Sequence, residues 1–262
     1  MKYFKKFNIF LCIFLLNILF NFTKANTIFL PNGIPNIDYF PLNKNILNSN
    51  TVNQIKDLKN SRLFILYAYE DFKLEKNIQC SKINPVEYKK NINKIMLELE
   101  KYKHNFFNQI NFNYLVLCKK LYINNFLTAG IPNNKVSTLI FDISLDADKI
   151  SRSLHHEIFH MIKEDDNYQS MNETYNRINN IEHKYEECSI CSDKLNTIFK
   201  NDIDGFVSEY ASTTIEEDQA EVFAAWMSLE NFEQFYKNNI KVLEKKKILK
   251  KTFFKYLNYE ID

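Results

Sequence analysis

Glycine is nearly absent: 3 residues in 262. Turns in this chain must be made by something else, and its frequent asparagine takes positions that glycine would otherwise fill. Charge of one sign is missing as well. Lys+Arg 34 against Asp+Glu 32 leaves a formal net charge of +2. That balance excludes a strong global pull toward nucleic acid or acidic partners. No internal repeat and no low-complexity linker interrupts the chain. Histidine is scarce too, yet three of the five histidines fall in "HHEIFH", residues 155–160.

What is present suits one sizeable core: 262 residues with 45% hydrophobic content fit a single globular unit. Residues 1–25 have the layout of an export signal. Lys2, Lys5 and Lys6 form a basic start, residues 9–20 an apolar run, and Thr23 and Ala25 supply small residues for cleavage after Ala25. The run is short of the roughly 20 apolar residues that span a bilayer. Cys12 lies inside it without small residues before it, which excludes a lipoprotein site. The expected product is a secreted chain, and the alternative is a membrane-anchored one with the signal uncleaved. Residues 26–60 read as a polar lead-in or a pro-segment, and residues 61–262 as one domain.

Four cysteines remain after cleavage: Cys80, Cys118, Cys188 and Cys191. An even number in an exported chain suggests disulfides, and four cysteines leave three pairings open. "CSIC" (188–191) has no second Cys-x-x-Cys to complete a metal site.

Strands come early and helices late, which predicts an α+β fold. Strands are expected over 62–69, 112–123 and 135–145, the second running into a turn or a further strand. Asn84, Pro85 and Glu87 mark the start of a helix over 84–107, with Ile92, Ile95, Met96 and Leu99 as its apolar stripe. Further helices are expected over 149–163, around 173–187 and 192–200, over 215–229, and over 238–257. The lysines of 241–255 read as a solvated face rather than a membrane-binding one.

His156 and His160 are four apart, so one helix face carries both. Their ring nitrogens can meet a single Zn²⁺ at about 2.0–2.1 Å each. Glu157 leans beside such a metal, where it can take a proton from metal-bound water. This is the HExxH pattern of metallopeptidases. The strand over 135–145 is expected to border the cleft and pair with extended substrate. His155 is one residue off the metal face and reads as a supporting or exposed residue, not a ligand.

A catalytic zinc needs a third protein ligand. Asp166 lies six residues after His160, but the sharp turn that arrangement needs calls for glycine at 163, where this chain has Lys163. Asp165 and Asp166 read more simply as a solvated helix end. The other candidate is Glu217, on a helix that Thr213 or Thr214 can cap. Glu221 is one turn on and can hydrogen-bond a liganding histidine. Tyr210, seven residues before Glu217, can donate to an oxyanion. Ala220, Ala224 and Ala225 keep that helix slim.

"HHEIFH" followed by "YASTTIEEDQAE" (210–221) resembles the gluzincin-type peptidases of the anthrax lethal factor and Pro-Pro endopeptidase group. It also resembles a broad set of exported zinc metallopeptidases with a Tyr-Ala…Glu-Asp-x-Ala-Glu segment. The resemblance covers about a third of the chain, residues 136–228. It implies a zincin-like fold: a small twisted sheet packed on the histidine helix, then a mainly helical C-terminal half. It implies that His156, His160 and Glu217 bind one zinc ion, that Glu157 is the base and that Tyr210 stabilises the transition state. Phe159 departs from the glycine that some members carry there. The match does not reach residues 26–135 and brings no substrate class with it.

The expected function is an exported zinc-dependent endopeptidase acting on peptides or proteins, with no nucleic-acid partner. The alternative is a non-catalytic zinc-containing binding or adhesion protein on the same scaffold. Glu157 discriminates, since a structural zinc site has no use for a free carboxylate base.

Overall fold

One long strand organises the sheet. β5 (Tyr114–Ile123) is apolar through its first half, with Leu115, Val116, Leu117 and Cys118 all buried. That half lies parallel to β2 (Phe64–Tyr67) on one side and to β8 (Thr138–Asp142) on the other. Near-continuous apolar runs are what a strand buried on both faces requires. Lys120 then stands at φ 54, and the ladder shifts register there. Beyond this bulge β5 pairs antiparallel with β4 (Ile78–Ser81) and β6 (Phe126–Leu127). β1 (Asp38–Tyr39) and β3 (Phe72–Leu74) extend the sheet antiparallel to β2 and β4. β7 (Gly130–Asn133) lies antiparallel to β8 at the other side. The result is a small twisted sheet with several helices, an α+β fold as expected.

The computed structural model describes residues 38–39, 63–68, 70–74, 78–103, 105–162, 166–179 and 182–257. The expected signal over 1–25 lies outside them, as does the 26–60 lead-in apart from Asp38–Tyr39. Cys80 pairs with Cys118, joining β4 to β5 beside the bulge, and Cys188 pairs with Cys191. Among the described residues no helix is long and apolar enough to cross a membrane.

The sheet corrects one expectation. β8 is paired on both sides, so it has no free side to pair with an extended substrate. Next to β8, the strand that has one side unpaired among the described residues is β7, whose Pro132 lacks an N–H and suits an edge.

The helices begin with α1 (Lys89–Leu99) and the short α2 (Phe106–Gln109). A single helix over 84–107 was expected. Instead Asn84 Oδ1 accepts from the Val86 N–H and holds a turn, so the helix starts later. It stops at Leu99, where the chain turns Tyr102 inward onto His155. Ile92, Ile95, Met96 and Leu99 are buried, as their spacing predicts. α3 (Ala147–His160) carries the histidine pair and lies between α1 and α5 (Ile215–Ser228), with β7 also against it. The alanines of α5 allow close approach: Ala220, Ala224 and Ala225 are all fully buried.

α4 (Asp166–Ile178) is followed by no helix over 182–187 or 192–200, contrary to expectation. That stretch is tied down by single backbone bonds, Glu186 N–H to the Thr213 carbonyl and Tyr210 N–H to the Asn196 carbonyl. α6 (Phe232–Phe235) and α7 (Ile240–Leu257) complete the chain. Phe159, where a glycine was the alternative, packs on Phe223 at 5.6 Å, and Phe223 stacks on Phe253 of α7 at 5.2 Å between centroids.

Two charged side chains correct the sequence reading. His155 is not exposed; it is fully buried on the α1 side, with Nε2 2.7 Å from Glu98 and Nδ1 2.7 Å from the Tyr102 hydroxyl. Lys245 belongs to no solvated face; it is fully buried against Asp218.

Candidate metal centre

α3 and α5 bring three ligand atoms to one point. His156 Nε2 and Glu217 Oε2 are 3.0 Å apart, His160 Nε2 and Glu217 Oε2 3.5 Å, and the two histidine Nε2 atoms 3.2 Å. Three ligands held about 2.0–2.1 Å from one ion in a tetrahedral array stand about 3.3–3.4 Å apart. The observed edges bracket that length. Glu217 Oε2 is buried and, among the described residues, accepts no hydrogen bond of good geometry, although two imidazoles face it. A buried carboxylate oxygen left in that state fits a cation between the three groups. Two nitrogens and one carboxylate oxygen are a donor set that zinc accepts, with a fourth position left over.

Sequence explains the placement. The 3.6-residue period stacks His160 one turn beyond His156. Thr214 caps α5, its hydroxyl accepting from the Glu217 N–H at 3.3 Å. Glu217 is thereby fixed in the first turn, where the helix dipole favours a carboxylate. Thr213 instead donates to the Tyr210 carbonyl at 2.8 Å and holds the turn Tyr210–Ser212 in place. Asp166, the rival candidate, is the first residue of α4, and the cluster that forms contains Glu217.

Glu221 sits one turn behind Glu217, fully buried. It accepts from His156 Nδ1 at 2.7 Å and from the Ser208 hydroxyl at 2.8 Å, and pairs with Arg152. Binding the far side of the imidazole fixes its tautomer and aims Nε2 at the metal position. Tyr210 leans over His156, ring centroids 6.1 Å apart, and its hydroxyl donates to Ser189 Oγ at 3.4 Å. Glu157 faces β7. A Cβ built on Gly130 would lie 2.6 Å from Glu157 Cγ and 2.9 Å from its Cδ, so only glycine gives this carboxylate its place.

Arg152, Ser208, Ser189 and Gly130 were not singled out from the sequence. Arg152 carries a readable signal, since it lies on the His156 face one turn earlier. The others meet the site only through the tertiary fold.

The electrostatics follow from burial and carboxylate neighbours. Burial pulls the His156 pKa down, but Glu217 and Glu221 outweigh it and raise it from 6.5 to about 10. Burial pushes Glu217 up, but His156 and His160 hold it well below the usual carboxylate range. Burial raises the Glu157 pKa above the ordinary carboxylate value. Burial, helped by Glu217, also keeps the Tyr210 phenol protonated.

A pH dependence follows for metal-free protein. The folded His156 pKa lies above its unfolded value of 6.5. Its contribution to stability is complete below about pH 6.5 and disappears as pH rises through about 10. The melting midpoint of chelator-stripped protein should therefore fall across that window. His156→Gln should flatten this part of the profile. Zinc-loaded protein should lack it, because a liganding imidazole has already lost its proton. Equal slopes in all three samples would contradict the assignment.

Comparison with known proteins places the chain. Residues 121–261, more than half of it, match the family described as "Putative zinc-binding metallo-peptidase". The crystal structure of a putative zinc-binding metallo-peptidase from Bacteroides caccae ATCC 43185 is similar at TM-score 0.50 and 14% sequence identity. The similarity covers 82% of this chain and 90% of that one and is a likeness of fold. No curated protein matches the sequence. With this match over more than half of its length, the chain belongs to the family described as "Putative zinc-binding metallo-peptidase".

Proposed function

We propose that this chain is an exported zinc-dependent endopeptidase of the gluzincin type, resembling the anthrax lethal factor and Pro-Pro endopeptidase group. The observation that carries the reading is the convergence of His156 Nε2, His160 Nε2 and Glu217 Oε2 on one point. One zinc ion held there would lower the pKa of a water molecule to about 7 and polarise the scissile carbonyl. Glu157 takes the proton of the attacking water and returns one to the leaving amine. Tyr210 donates a hydrogen bond to the carbonyl oxygen as it becomes tetrahedral. Glu221, steadied by Arg152 and Ser208, orients His156. The free side of β7, which passes Glu157 at Gly130, takes an extended peptide by backbone pairing.

Export is supported by the signal-like residues 1–25 and by two disulfides, which persist in oxidising compartments. In this reading residues 61–262 form the peptidase domain and 26–60 a lead-in or pro-segment, and the partners are peptides or proteins.

The test is metal analysis beside peptide cleavage. Purified wild type should carry zinc and hydrolyse an unstructured protein substrate. Glu217→Ala should lose most of its zinc affinity, while Asp166→Ala keeps it. The reverse pattern would make Asp166 the third ligand. Zinc-loaded wild type that cleaves nothing would favour the binding or adhesion protein.

A further inference from the structure

We propose that Cys188–Cys191 is a redox latch on the metal site, acting through Ser189. The inference rests on the zinc-peptidase reading above. Ser189 is enclosed by the bridge and touches two site residues at once. Its hydroxyl donates to Glu217 Oε1 at 3.1 Å and accepts from the Tyr210 hydroxyl at 3.4 Å. Glu217 therefore has one oxygen turned to the histidines and the other held by Ser189. A support of this kind fixes a liganding carboxylate in the orientation a metal needs.

Among the described residues, few bonds besides the bridge hold the turn that carries Ser189. The turn Ser189–Cys191 is one short 3₁₀ segment, with backbone bonds from Cys191 N–H to the Cys188 carbonyl at 3.3 Å and from Ser192 N–H to the Ser189 carbonyl at 3.4 Å. Ser192 Oγ donates to Glu186 just outside the bridge.

The two disulfides are unlike. Cys80–Cys118 closes a sequence separation of 38 and is buried at both ends. Cys188–Cys191 closes a separation of 3 and exposes Cys191. A bridge across so short a loop restricts the unfolded chain little, so global stability is a poor account of it. Exposed bridges are the ones that exchange readily with thiols.

The reductant is a dithiol, small or on a protein. Its thiolate attacks Sγ of Cys191, forming a mixed disulfide and releasing the Cys188 thiolate. Its second thiol then attacks the mixed disulfide and frees Cys191. Two electrons pass to the bridge, the cysteines take up two protons, and the reductant ends as a disulfide. With the bridge open, Ser189 leaves Glu217 and Tyr210 together, and zinc is held more weakly.

The experiment uses the whole mature chain and a phosphine reductant, because dithiols bind zinc themselves. Thiols are counted, zinc affinity is measured against a chromogenic chelator, and kcat and KM are measured on one peptide. Reduction of wild type should expose the two thiols of Cys188 and Cys191, leave Cys80–Cys118 closed, and raise the zinc Kd on the order of 10–100-fold. The double variant Cys188→Ser/Cys191→Ser should start at that weakened affinity and ignore the reductant. Ser189→Ala should weaken zinc binding with the bridge intact, and Ser189→Thr should restore it. These two variants test the hydrogen bonds even if the double variant does not fold.

Reduced wild type that binds zinc and cleaves as before overturns the latch and leaves the peptidase reading standing. So does a bridge that cannot be opened without opening Cys80–Cys118. Tighter zinc with activity lost would mean that a freed thiol joins the metal, which also overturns it. Wild type that binds no zinc in either state overturns both readings.

Discussion

Glu157→Gln should keep its zinc and lose peptide hydrolysis by about 10²–10⁴-fold in kcat. The three converging atoms that could hold a metal belong to His156, His160 and Glu217, so in the proposed site metal binding does not need the Glu157 carboxylate. Its place is the slot beside Gly130 on β7. Glutamine has nearly the same shape and fills that slot, but its amide cannot take a proton from water. Burial raises the Glu157 pKa, and a raised pKa makes a carboxylate a better proton acceptor. Zinc content and kcat on one peptide, measured with matched metal loading, decide the matter. Turnover within tenfold of wild type would remove Glu157 from the reaction. Loss of zinc with normal folding would assign the carboxylate to the metal site instead.

The second large effect concerns stability. Asp218, next to the proposed ligand Glu217, is fully buried and accepts from Lys245 Nζ at 2.5 Å and from the Tyr185 hydroxyl at 2.6 Å. Lys245 also donates to the Gly205 carbonyl at 2.6 Å and lies 4.2 Å from the centre of the Phe206 ring. Burial lowers the Lys245 pKa and raises that of Asp218, and each group's charge opposes the shift in the other. Lys245→Met fills the space but strands a carboxylate in the core. Breaking such a pair costs about 3–5 kcal/mol. At about 2–4 °C per kcal/mol for a chain of this size, the melting midpoint should fall by roughly 6–20 °C. Asp218→Asn combined with Lys245→Met removes both charges and leaves an acceptor for Tyr185, so it should recover much of the loss. A Lys245→Met variant that melts within about 2 °C of wild type would show that the pair contributes little.

The histidine helix was legible because one short periodic segment carries both the motif and the apolar face of α3. Glu217 and Tyr210 were legible through the resemblance, which ties a second helix to the first across about sixty residues of sequence. What stayed hidden had physical reasons. β7 reads "GIPN", and glycine with proline argues against a strand until an edge is available to accept them. Lys245 reads as one lysine among many, since nothing local distinguishes a lysine that meets a buried aspartate 27 positions away. Ser189 meets Glu217 across 28 positions and carries no motif of its own. His155 looked peripheral because α3 was given one buried face, whereas α1 covers the opposite one. The 84–107 helix failed at its ends, where Asn84 had a choice between capping a helix and closing a turn.

Gly130 shows what a near-absence of glycine can report. Elsewhere the chain has found substitutes: Asn111, Asn124 and Asn125 all hold positive φ. Asparagine can replace glycine where a dihedral angle is required, because its side chain tolerates the left-handed region. It cannot replace glycine where volume is required, because every other residue brings a Cβ. Position 130 needs volume, for the side chain of Glu157. Gly205 answers to the dihedral requirement, at φ 83, whereas Gly130 marks a place where the backbone must stand against something bulky. That place is the floor beneath the proposed base.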